Sequence, residues 1–377
     1  MKKVGIWGTG ITAELVYEKI TKYEQDIAIS CFCDSDCNKV GSAFFDLPVI
    51  SPDEMINIWY AEGRIDGIVL GTGVMHHEEV YHTIGDMVGG ECEDVLYIPD
   101  WIIEKKNVVG GVLQKFSIDS AQTVLDYFEY EVTGACNLNC RGCGHFSNIS
   151  EGAASEYNLQ NLDRDLKRMS ELFDHVRVIH ILGGEPLLSK NLASMVKLTR
   201  QYFKKSILRV VTNGLLVRSM SEELIEALVD NDVNLWISTY TPTLKIYDDI
   251  TAFCKEKGIG IVGNVSRMNF TKRINLRGDS DKTKIFYECD WHRCPNLRDG
   301  RLYTCSYAAF SYRLKERYDI DIPTEQGIDL FDEKVTGKMI NQILSEPIEF
   351  CKYCTVPVPV EWSNDYTKKC LEDWVVD

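Results

Sequence analysis

Three cysteines on one short stretch have the type and spacing of metal ligands. The stretch "ACNLNCRGCGHF" runs from 135 to 146 and places Cys136, Cys140 and Cys143 in a C-x3-C-x2-C pattern. Metal sites built from cysteine usually have four protein ligands. The pattern therefore predicts either a site whose fourth ligand lies elsewhere in the chain or a metal centre with one position left open.

Three structures can account for these cysteines. A zinc ion could take His145 as its fourth ligand, because the side chains of so short a loop can converge on one ion. Packing as small buried hydrophobic residues is disfavoured, because three cysteines fall within eight residues. A [4Fe–4S] cluster held by three thiolates would leave one iron open to a substrate or a cofactor.

A second motif, "GGEP", occupies residues 183–186 directly after a strand candidate. A tight strand-to-helix turn explains the glycines and the proline, because glycine takes unusual dihedrals and proline suits the first turn of a helix. That explanation leaves Glu185 without a role. Thr212 and Asn213 of "TNG" and Ser238 of "IST" also follow strand candidates, where polar residues either cap the structure or contact a ligand.

Together the two motifs resemble the radical S-adenosylmethionine (SAM) superfamily. C-x3-C-x2-C follows the first strand of a βα series and GGEP follows the second, over about residues 128–285. The resemblance implies that Cys136, Cys140 and Cys143 hold a [4Fe–4S] cluster whose open iron is chelated by SAM. It further implies an anaerobic enzyme that takes an electron from a donor such as flavodoxin or ferredoxin. Such an enzyme cleaves SAM to a 5′-deoxyadenosyl radical, which abstracts hydrogen from the substrate.

The resemblance also assigns roles around SAM. Gly183 and Gly184 let the backbone approach it, and Glu185 accepts hydrogen bonds from its ammonium group. Gly142 stands where the family commonly has an aromatic residue, so Phe146 is expected to pack against adenine instead. The residues expected to contact SAM are Gly183, Gly184, Glu185, Pro186, Thr212, Asn213, Ser238 and Phe146.

A second set of cysteines lies near the C-terminus. The stretch "CDWHRCPNLRDGRLYTC" predicts a hairpin that turns at Asp299-Gly300, and a C-x2-C pair follows at 351–354. This arrangement resembles the SPASM and shortened twitch extensions of radical SAM enzymes, which hold an auxiliary [4Fe–4S] cluster. Structural zinc is the alternative, because a site of four thiolates suits either metal.

One auxiliary cluster is expected, because too few cysteines remain for the second auxiliary cluster of the fuller SPASM pattern. Three of its ligands are expected to be Cys305, Cys351 and Cys354. The fourth is either Cys289 or Cys294, and the sequence leaves that choice open.

The N-terminal glycine loop has the spacing of a dinucleotide fingerprint. Gly8, Gly10 and Ala13 follow a strand candidate and open a helix in G-x-G-x-x-A form, and Asp34 ends the next strand where a ribose-binding acid is expected. The residues that follow resemble the small Rossmann-like domain attached to sugar acetyltransferases and methyltransferases of surface-polysaccharide pathways. A nucleotide or nucleotide-sugar is therefore the candidate ligand, with a purely structural domain as the alternative.

An α/β fold must position all of these residues. Strand and helix patterns alternate over residues 1–105, which predicts a Rossmann-like parallel sheet followed by a connector at 106–127. Residues 128–285 repeat the βα pattern and predict a partial (β/α)6 TIM-type barrel, whose chemistry lies at the carboxyl ends of its strands. Residues 286–377 are expected to form a small cysteine-rich C-terminal domain.

The composition excludes several classes of protein. Acidic residues outnumber basic ones by 57 to 41, and the resulting net charge of −16 disfavours a nucleic-acid partner. No stretch approaches the roughly 20 apolar residues of a membrane span, and the N-terminus enters a strand pattern instead of a signal peptide. A cytoplasmic protein without a membrane partner is expected. In that compartment fourteen cysteines indicate metal or redox chemistry before disulfides.

These features favour a radical SAM oxidoreductase that acts on a small molecule, either a sugar or a nucleotide-linked compound. The resemblance of the N-terminal domain to domains of sugar pathways supports that substrate class. A SPASM enzyme that modifies a ribosomal peptide or protein is the alternative, although the N-terminal loop does not resemble the winged-helix domain that commonly captures leader peptides. A non-catalytic metal-binding scaffold is the alternative from another class.

Overall fold

The structure of the protein is a computed structural model. It describes residues 1–90, 92–105, 108–119, 121–150, 156–266, 269–289, 291–292, 294–364 and 369–376. The chain forms two compact units, 1–121 and 122–377, and the boundary between them falls within the predicted connector. The predicted domain limits at 105, 127 and 285 stay predictions.

The first unit contains a seven-stranded sheet. Its strands are β1 (Lys2–Trp7), β2 (Ile27–Cys33), β3 (Ala43–Phe44), β4 (Leu47–Ile50), β5 (Gly67–Leu70), β6 (Val95–Tyr97) and β7 (Gln114–Lys115). They lie in the order β3-β4-β2-β1-β5-β6-β7. The five central strands pair in parallel, which confirms the predicted Rossmann-like sheet.

Helices lie between the strands of this unit along the chain. They are α1 (Ile11–Tyr23), α2 (Pro52–Ile56), α3 (His77–Val88) and α4 (Asp100–Ile103). Helix α1 places Ala13, Val16 and Ile20 on one buried face, as apolar residues at helical spacing should. Strand β1 buries its last four residues in succession, which is typical of a parallel strand covered on both faces.

The second unit contains an eight-stranded sheet and a two-stranded one. The large sheet consists of β8 (Val124–Glu131), β9 (His175–Leu182), β10 (Ile207–Thr212), β11 (Val233–Thr239), β12 (Ile261–Ser266), β14 (Asn296–Arg298), β15 (Arg301–Tyr303) and β16 (Ile328–Asp329). Its order is β12-β11-β10-β9-β8-β14-β15-β16. Strands β13 (Asn269–Ile274) and β17 (Cys354–Glu361) form the small antiparallel sheet.

Six adjacent strands of the large sheet are parallel, but only five of them come from consecutive βα units. Strands β8 to β12 pair in chain order, as the predicted partial barrel requires. The sixth is β14, which comes from the cysteine-rich segment and pairs with β8 on its other side. The predicted hairpin is confirmed, because β14 and β15 pair antiparallel around Asp299 and Gly300, with φ of 48° and 75°.

Helices accompany the strands of the second unit. They are α5 (Leu159–Leu172), α6 (Leu192–Tyr202), α7 (Glu222–Asp230), α8 (Thr241–Leu244), α9 (Tyr247–Lys257), α10 (Lys282–Glu288), α11 (Ser306–Phe310), α12 (Tyr312–Tyr318) and α13 (Gly337–Leu344). In α5, Leu162, Leu166 and Met169 are fully buried, which follows from their helical spacing. None of the helices in the described part of the chain has the length and apolar character that a membrane crossing needs.

Candidate functional site

A cavity of about 480 Å³ lies within the second unit. In folds of this kind the chemistry lies at the carboxyl ends of the parallel strands. The cavity is lined by all three cysteines of the first motif and by residues at the ends of β9, β10 and β11, namely Cys136, Cys140, Cys143, Leu182, Thr212 and Ser238. The structure therefore brings the first cysteine motif and the predicted strand-end residues to one place.

The loop that carries these cysteines is held by residues near the C-terminus. Nε1 of Trp362 donates to Sγ of Cys140 at 3.1 Å, and Nε1 of Trp374 donates to the carbonyl oxygen of Cys143 at 2.9 Å. The partners in these two hydrogen bonds are 222 and 231 residues apart along the chain. The shape of the cysteine loop therefore depends on the C-terminal segment.

The three thiols can hold an iron–sulfur cluster. They open onto one cavity, and a four-iron cluster spaces its thiolate ligands more widely than a single ion does. In the described part of the chain, no three His, Cys, Asp or Glu side chains converge as they would around one ion. Burial raises the pKa of the Cys140 thiol to about 12, a cost to the thiolate that the positive charge of bound iron offsets.

His145, the candidate fourth ligand for zinc, faces two carboxylates. Its Nε2 lies 3.9 Å from Oε1 of Glu129, and its Nδ1 lies 3.8 Å from Oε2 of Glu131. The imidazole also packs against Phe310, with 5.1 Å between the ring centroids. His145 thus belongs to the part of the cavity wall that carries acidic residues, and its role as a zinc ligand stays a prediction.

The glycines of the GGEP motif stand where no side chain fits. A Cβ on Gly184 would lie 2.4 Å from the carbonyl oxygen of Ala135, and one on Gly183 would lie 2.6 Å from that of Thr133. Both carbonyls belong to the backbone that leads from β8 to Cys136. The two glycines therefore let the second motif lie directly against the first, and both line the cavity.

Glu185 is fully buried and links several predicted residues. Its carboxylate accepts hydrogen bonds from Oγ1 of Thr212 at 2.7 Å and from the backbone amides of Asn213 at 2.8 Å and Leu187 at 3.1 Å. Burial raises the pKa of Glu185 to about 7, against the effect of these hydrogen bonds. Asn213 in turn donates to Oδ1 of Asn137 in the cysteine loop at 2.7 Å. Glu185 is not among the described residues that line the cavity, so its contact with the ammonium group of SAM stays a prediction.

Phe146 occupies a packing position. It is fully buried, and its ring centroid lies 5.5 Å from that of Tyr307 and 5.8 Å from that of Trp374. It is not one of the described residues that line the cavity, so its contact with adenine stays a prediction. Tyr240 and Phe270 do line the cavity, with nearly parallel rings 6.2 Å apart, and no role was predicted for either of them.

Pro186 lies outside the cavity lining in the described residues. It is buried at the start of a short 3₁₀ turn, Pro186–Leu188, that follows Glu185. Its fixed φ suits that position. Pro186 therefore supports the turn, and a direct contact with SAM stays a prediction.

Three thiols of the second cysteine set, those of Cys289, Cys305 and Cys351, lie near enough to Cys354 to affect its pKa. Burial raises the pKa of Cys305 to about 12, and the nearby thiols of Cys289 and Cys351 act in the same direction. Burial and those three thiols also hold the pKa of Cys354 well above its usual range. Strand β13 joins two of them, because Ile274 pairs with Cys354 and the neighbouring Arg273 donates to Sγ of Cys289 at 3.4 Å.

Cys294 lies in a different place. It lines the cavity, and its thiol is near enough to Tyr127 to contribute to a raised pKa of that phenol, behind burial and Glu129. The sequence left open whether Cys289 or Cys294 joins the second set. Cys289 acts on the pKa of Cys305 and Cys354, whereas Cys294 lines the cavity that the first motif also lines, and the choice of ligand stays a prediction.

A chain of hydrogen-bonded polar side chains, which sequence reasoning missed, includes the cavity-lining residues His180, Tyr127 and Glu129. Nη1 of Arg209 lies 3.4 Å from Nε2 of His180. Because a guanidinium can only donate, Nε2 accepts and Nδ1 carries the hydrogen. Nδ1 then donates to the hydroxyl oxygen of Tyr127 at 2.9 Å, and the Tyr127 hydroxyl donates to the Glu129 carboxylate.

This arrangement makes stability depend on pH through His180. Burial and the Arg209 guanidinium hold the pKa of His180 well below its usual value of 6.5. The unfolded chain therefore binds a proton that the folded chain does not as the pH falls below about 6.5, and the free energy of unfolding decreases. We expect His180→Gln to reduce the drop in melting temperature between about pH 7.5 and about pH 5.5.

The exposed His82 of α3 offers a matched control. His82→Gln should show the same drop in melting temperature as the wild type. Equal drops in the wild type and in His180→Gln would contradict the assigned protonation state of His180.

Glu131, two residues beyond Glu129 on β8, forms a buried ion pair. Nη1 of Arg313 donates to its Oε2 at 3.0 Å and Nη2 donates to its Oε1, with the two side chains 6% and 3% exposed. Although burial acts in the opposite direction, Arg313 holds the pKa of Glu131 below its usual value. Arg313 also donates to the carbonyl oxygen of His145 at 2.7 Å, so the pair supports the end of the cysteine loop.

In the first unit, the predicted glycine loop lies between β1 and α1. Gly8 has a φ of 121°, and a Cβ there would lie 2.9 Å from the carbonyl oxygen of Gly71. Only glycine fits that turn without strain. Gly10 is the N-cap of α1, and Ala13 is buried on the inner face of the helix, which is the context that the fingerprint requires.

Asp34 follows β2 and is engaged by side chains of its own chain. Its carboxylate accepts hydrogen bonds from Oγ1 of Thr9 and from Nζ of Lys39, the latter at 3.0 Å. The backbone amide of Asp36 also donates to it at 2.9 Å. The predicted ribose contact of Asp34 stays a prediction.

The polar residues that sequence reasoning missed share a signal. Tyr127, Glu129 and Glu131 alternate along β8, while His180 and Arg209 lie within β9 and β10. A parallel strand covered on both faces normally consists of apolar residues. Polar residues at a spacing of two within such a strand therefore indicate a functional or ion-paired face.

Comparison with protein families matches residues 130–268 to the family described as "Radical SAM superfamily". The matched segment contains the first cysteine motif, GGEP, TNG and Ser238. It contains β9, β10, β11 and β12 completely and the last two residues of β8.

The chain is also similar to GTP 3′,8-cyclases. It is 34% identical over 111 residues to that of Helicobacter pylori (strain HPAG1), covering 29% of this chain and 34% of the relative. It is 32% identical over 133 residues to that of Sulfurimonas denitrificans, covering 33% and 38%. The chain thus spans little more than a third of the length of these relatives.

Among solved structures, the chain is similar to BtrN in complex with AdoMet and 2-DOIA. The TM-score is 0.38 at 19% identity, with 62% of this chain and 93% of BtrN covered. A structural similarity at that TM-score does not indicate a shared activity.

Proposed function

The chain belongs to the radical SAM superfamily through residues 130–268, and we propose that it is an enzyme that abstracts hydrogen from a small molecule. One observation carries this proposal: the thiols of Cys136, Cys140 and Cys143 and the GGEP glycines line the same cavity. These cysteines are the proposed ligands of a [4Fe–4S] cluster. Together with SAM, such a cluster supplies the removal of a hydrogen atom from an unactivated C–H bond.

The protein's own residues would bind and orient SAM. Gly183 and Gly184, which line the cavity, would let the backbone approach SAM, and Glu185 would accept hydrogen bonds from its ammonium group. Ser238 and Asn213 line the cavity beside them and offer further hydrogen bonds. The expected contacts of Thr212, Pro186 and Phe146 are part of the same proposal.

A single auxiliary [4Fe–4S] cluster at Cys289, Cys305, Cys351 and Cys354 is part of this proposal, in the manner of SPASM or twitch domains. The proximity of the four thiols supports it. We further propose a cytoplasmic, oxygen-sensitive enzyme that receives electrons from a donor such as flavodoxin or ferredoxin. The net charge of −16 supports the absence of a nucleic-acid partner.

The proposed substrate is a small molecule, either a sugar or a nucleotide-linked compound. The cavity of about 480 Å³ lies in the range of small-molecule sites, roughly 300–1,000 Å³. The similar GTP 3′,8-cyclases bear the name of a nucleotide substrate, which supports the same class. The glycine loop at Gly8 and Gly10 is the proposed site for a nucleotide or nucleotide-sugar.

Reduction of the reconstituted protein tests the proposed activity. Purified anaerobically, loaded with iron and sulfide and reduced with dithionite, the wild type should convert SAM to 5′-deoxyadenosine and methionine. The triple alanine variant at Cys136, Cys140 and Cys143 should form no 5′-deoxyadenosine and should retain about four of about eight irons per chain. Chromatography of the nucleoside and iron analysis provide the two measurements.

Cys37→Ala is the matched control, because this exposed cysteine lies outside both sets. It should keep the wild-type yield of 5′-deoxyadenosine and the wild-type iron content. No 5′-deoxyadenosine from the iron-loaded wild type would leave a metal-binding scaffold as the function. Complete loss of iron from the triple variant would remove the auxiliary cluster from the proposal.

A further inference from the structure

We infer that Glu129 is the binding site for a protonated amine on the substrate, so that the substrate is an amine and not a neutral polyol. This inference rests on the proposed function and narrows its substrate class. It follows from a comparison of two buried carboxylates on β8, from the donors around Glu129 and from its place in the cavity.

Glu129 and Glu131 are equally buried but differ in charge compensation. Glu129 is 5% exposed and Glu131 is 6% exposed. Glu131 is neutralised by the two-pronged contact with Arg313. In the described part of the chain, Glu129 has no Lys or Arg nitrogen within 4.0 Å, and its one basic neighbour is His145 at 3.9 Å. A buried carboxylate without a cation is costly, so a bound cation would stabilise it.

Neutral donors hold the Glu129 carboxylate in a fixed position. Nδ2 of Asn296 donates to Oε1 at 2.9 Å, Oγ of Ser306 donates to the same oxygen at 3.0 Å, and the Tyr127 hydroxyl donates to Oε2. Asn296 is itself positioned by its pairing with Glu129 between β14 and β8. These donors orient the carboxylate without cancelling its charge. Among the described residues these donors use three of about four acceptor positions, and the remaining one is on Oε2.

Glu129 also lies where a substrate would reach it. Glu129 lines the cavity together with Cys136, Cys140 and Cys143, whereas Glu131 is not among the described residues that line it. A small molecule held at Oε2 would therefore occupy the same cavity as the proposed cluster. The aromatic side chains of Trp236 and Trp291 also line that cavity, and indole faces attract cations.

His145 does not replace a bound amine in this arrangement. Its two ring nitrogens lie 3.9 Å from Glu129 and 3.8 Å from Glu131, beyond hydrogen-bond distance. Its Nδ1 is buried and makes no hydrogen bond to any described residue. An ammonium group is smaller than an imidazole and has three donors, so it can come within hydrogen-bonding distance of Oε2.

Binding of matched amines and alcohols tests this inference. The iron-loaded protein is saturated with SAM under anaerobic, non-reducing conditions and titrated with three pairs of probes in a calorimeter or by ligand-observed NMR. The pairs are D-glucosamine and D-glucose, trans-2-aminocyclohexanol and trans-1,2-cyclohexanediol, and ethanolamine and ethylene glycol. In at least one pair the wild type should bind the amine roughly tenfold or more tightly than the alcohol.

Glu129→Gln keeps the size of the side chain and an oxygen that accepts hydrogen bonds, but it removes the charge. It should lose most of the amine preference. Glu223→Gln, an exposed carboxylate of α7, should keep it and controls for the change in net charge. Iron content and melting temperature establish that both variants are folded and loaded.

Two results would overturn the inference. One is the absence of amine preference in all three pairs with the wild type. The other is a preference that persists in Glu129→Gln. The yield of 5′-deoxyadenosine after reduction of the same samples reports separately on the proposed function, so either result can occur while radical SAM activity is intact.

Discussion

Replacing Cys289 by alanine is expected to remove about half of the iron from the reconstituted protein, whereas replacing Cys294 should leave the iron content unchanged. Two four-iron clusters give about eight irons per chain, and loss of one cluster leaves about four. Cys289 lies with Cys305, Cys351 and Cys354, while Cys294 lies in the cavity wall. Iron and acid-labile sulfide per chain, measured after anaerobic reconstitution, provide the comparison.

Cys254→Ala is a suitable control for this pair of variants. Cys254 is a buried cysteine of α9 that belongs to neither set, so its removal tests the effect of losing any buried thiol. It should keep the full iron content. Loss of iron from Cys294→Ala together with full iron in Cys289→Ala would reverse the assignment of the fourth ligand.

Replacing Arg313 by leucine is expected to lower the free energy of unfolding by about 3–5 kcal/mol. The substitution leaves the buried Glu131 carboxylate without its cation, and removal of one partner from a buried ion pair is far more costly than the pair itself is stabilising. It also removes the hydrogen bond to the carbonyl oxygen of His145. Urea denaturation under anaerobic conditions measures the change.

The double variant Glu131→Leu/Arg313→Leu separates the lost charge from lost packing. It should recover most of the stability that Arg313→Leu loses, because no uncompensated charge remains in the interior. Arg218→Leu removes a guanidinium from an exposed ion pair with Asp249 and should behave like the wild type. Equal stabilities of Arg313→Leu and Arg218→Leu would contradict the buried pair at Glu131.

The features that the sequence predicts well are local ones. The order of strands and helices in the first unit follows from runs of apolar residues, and the hairpin at Asp299-Gly300 follows from a dipeptide that takes positive φ. The βα series and the convergence of GGEP on the first cysteine motif follow from the rule that parallel strands end at one edge. The first two depend on residues close together in the chain, and the third depends on a general rule for parallel strands.

The features that the sequence does not predict depend on distant residues. Cys289 and Cys294 are five residues apart and equally suitable by type, and only the tertiary packing of β13 and β14 separates them. The aromatic ring of Phe146 has no local property that distinguishes a core position from a ligand contact. The sequence also does not predict that β14 is the sixth parallel strand. This strand comes from the cysteine-rich segment and takes the place of the sixth βα unit that was expected.

That pairing sets the order in which the protein can be completed during synthesis. The partners Glu129 and Asn296 are 167 residues apart, so at about 5–20 residues per second the ribosome needs roughly 10–30 s to supply β14 after β8 has been made. During that interval one edge of β8 has no partner and can pair with other chains. The loop with the first three cysteines lacks its hydrogen bond from Trp374 for longer still, until that residue has left the ribosome. Cells that express this protein at a high level are therefore expected to lose more of it to aggregation than cells that express it at a low level.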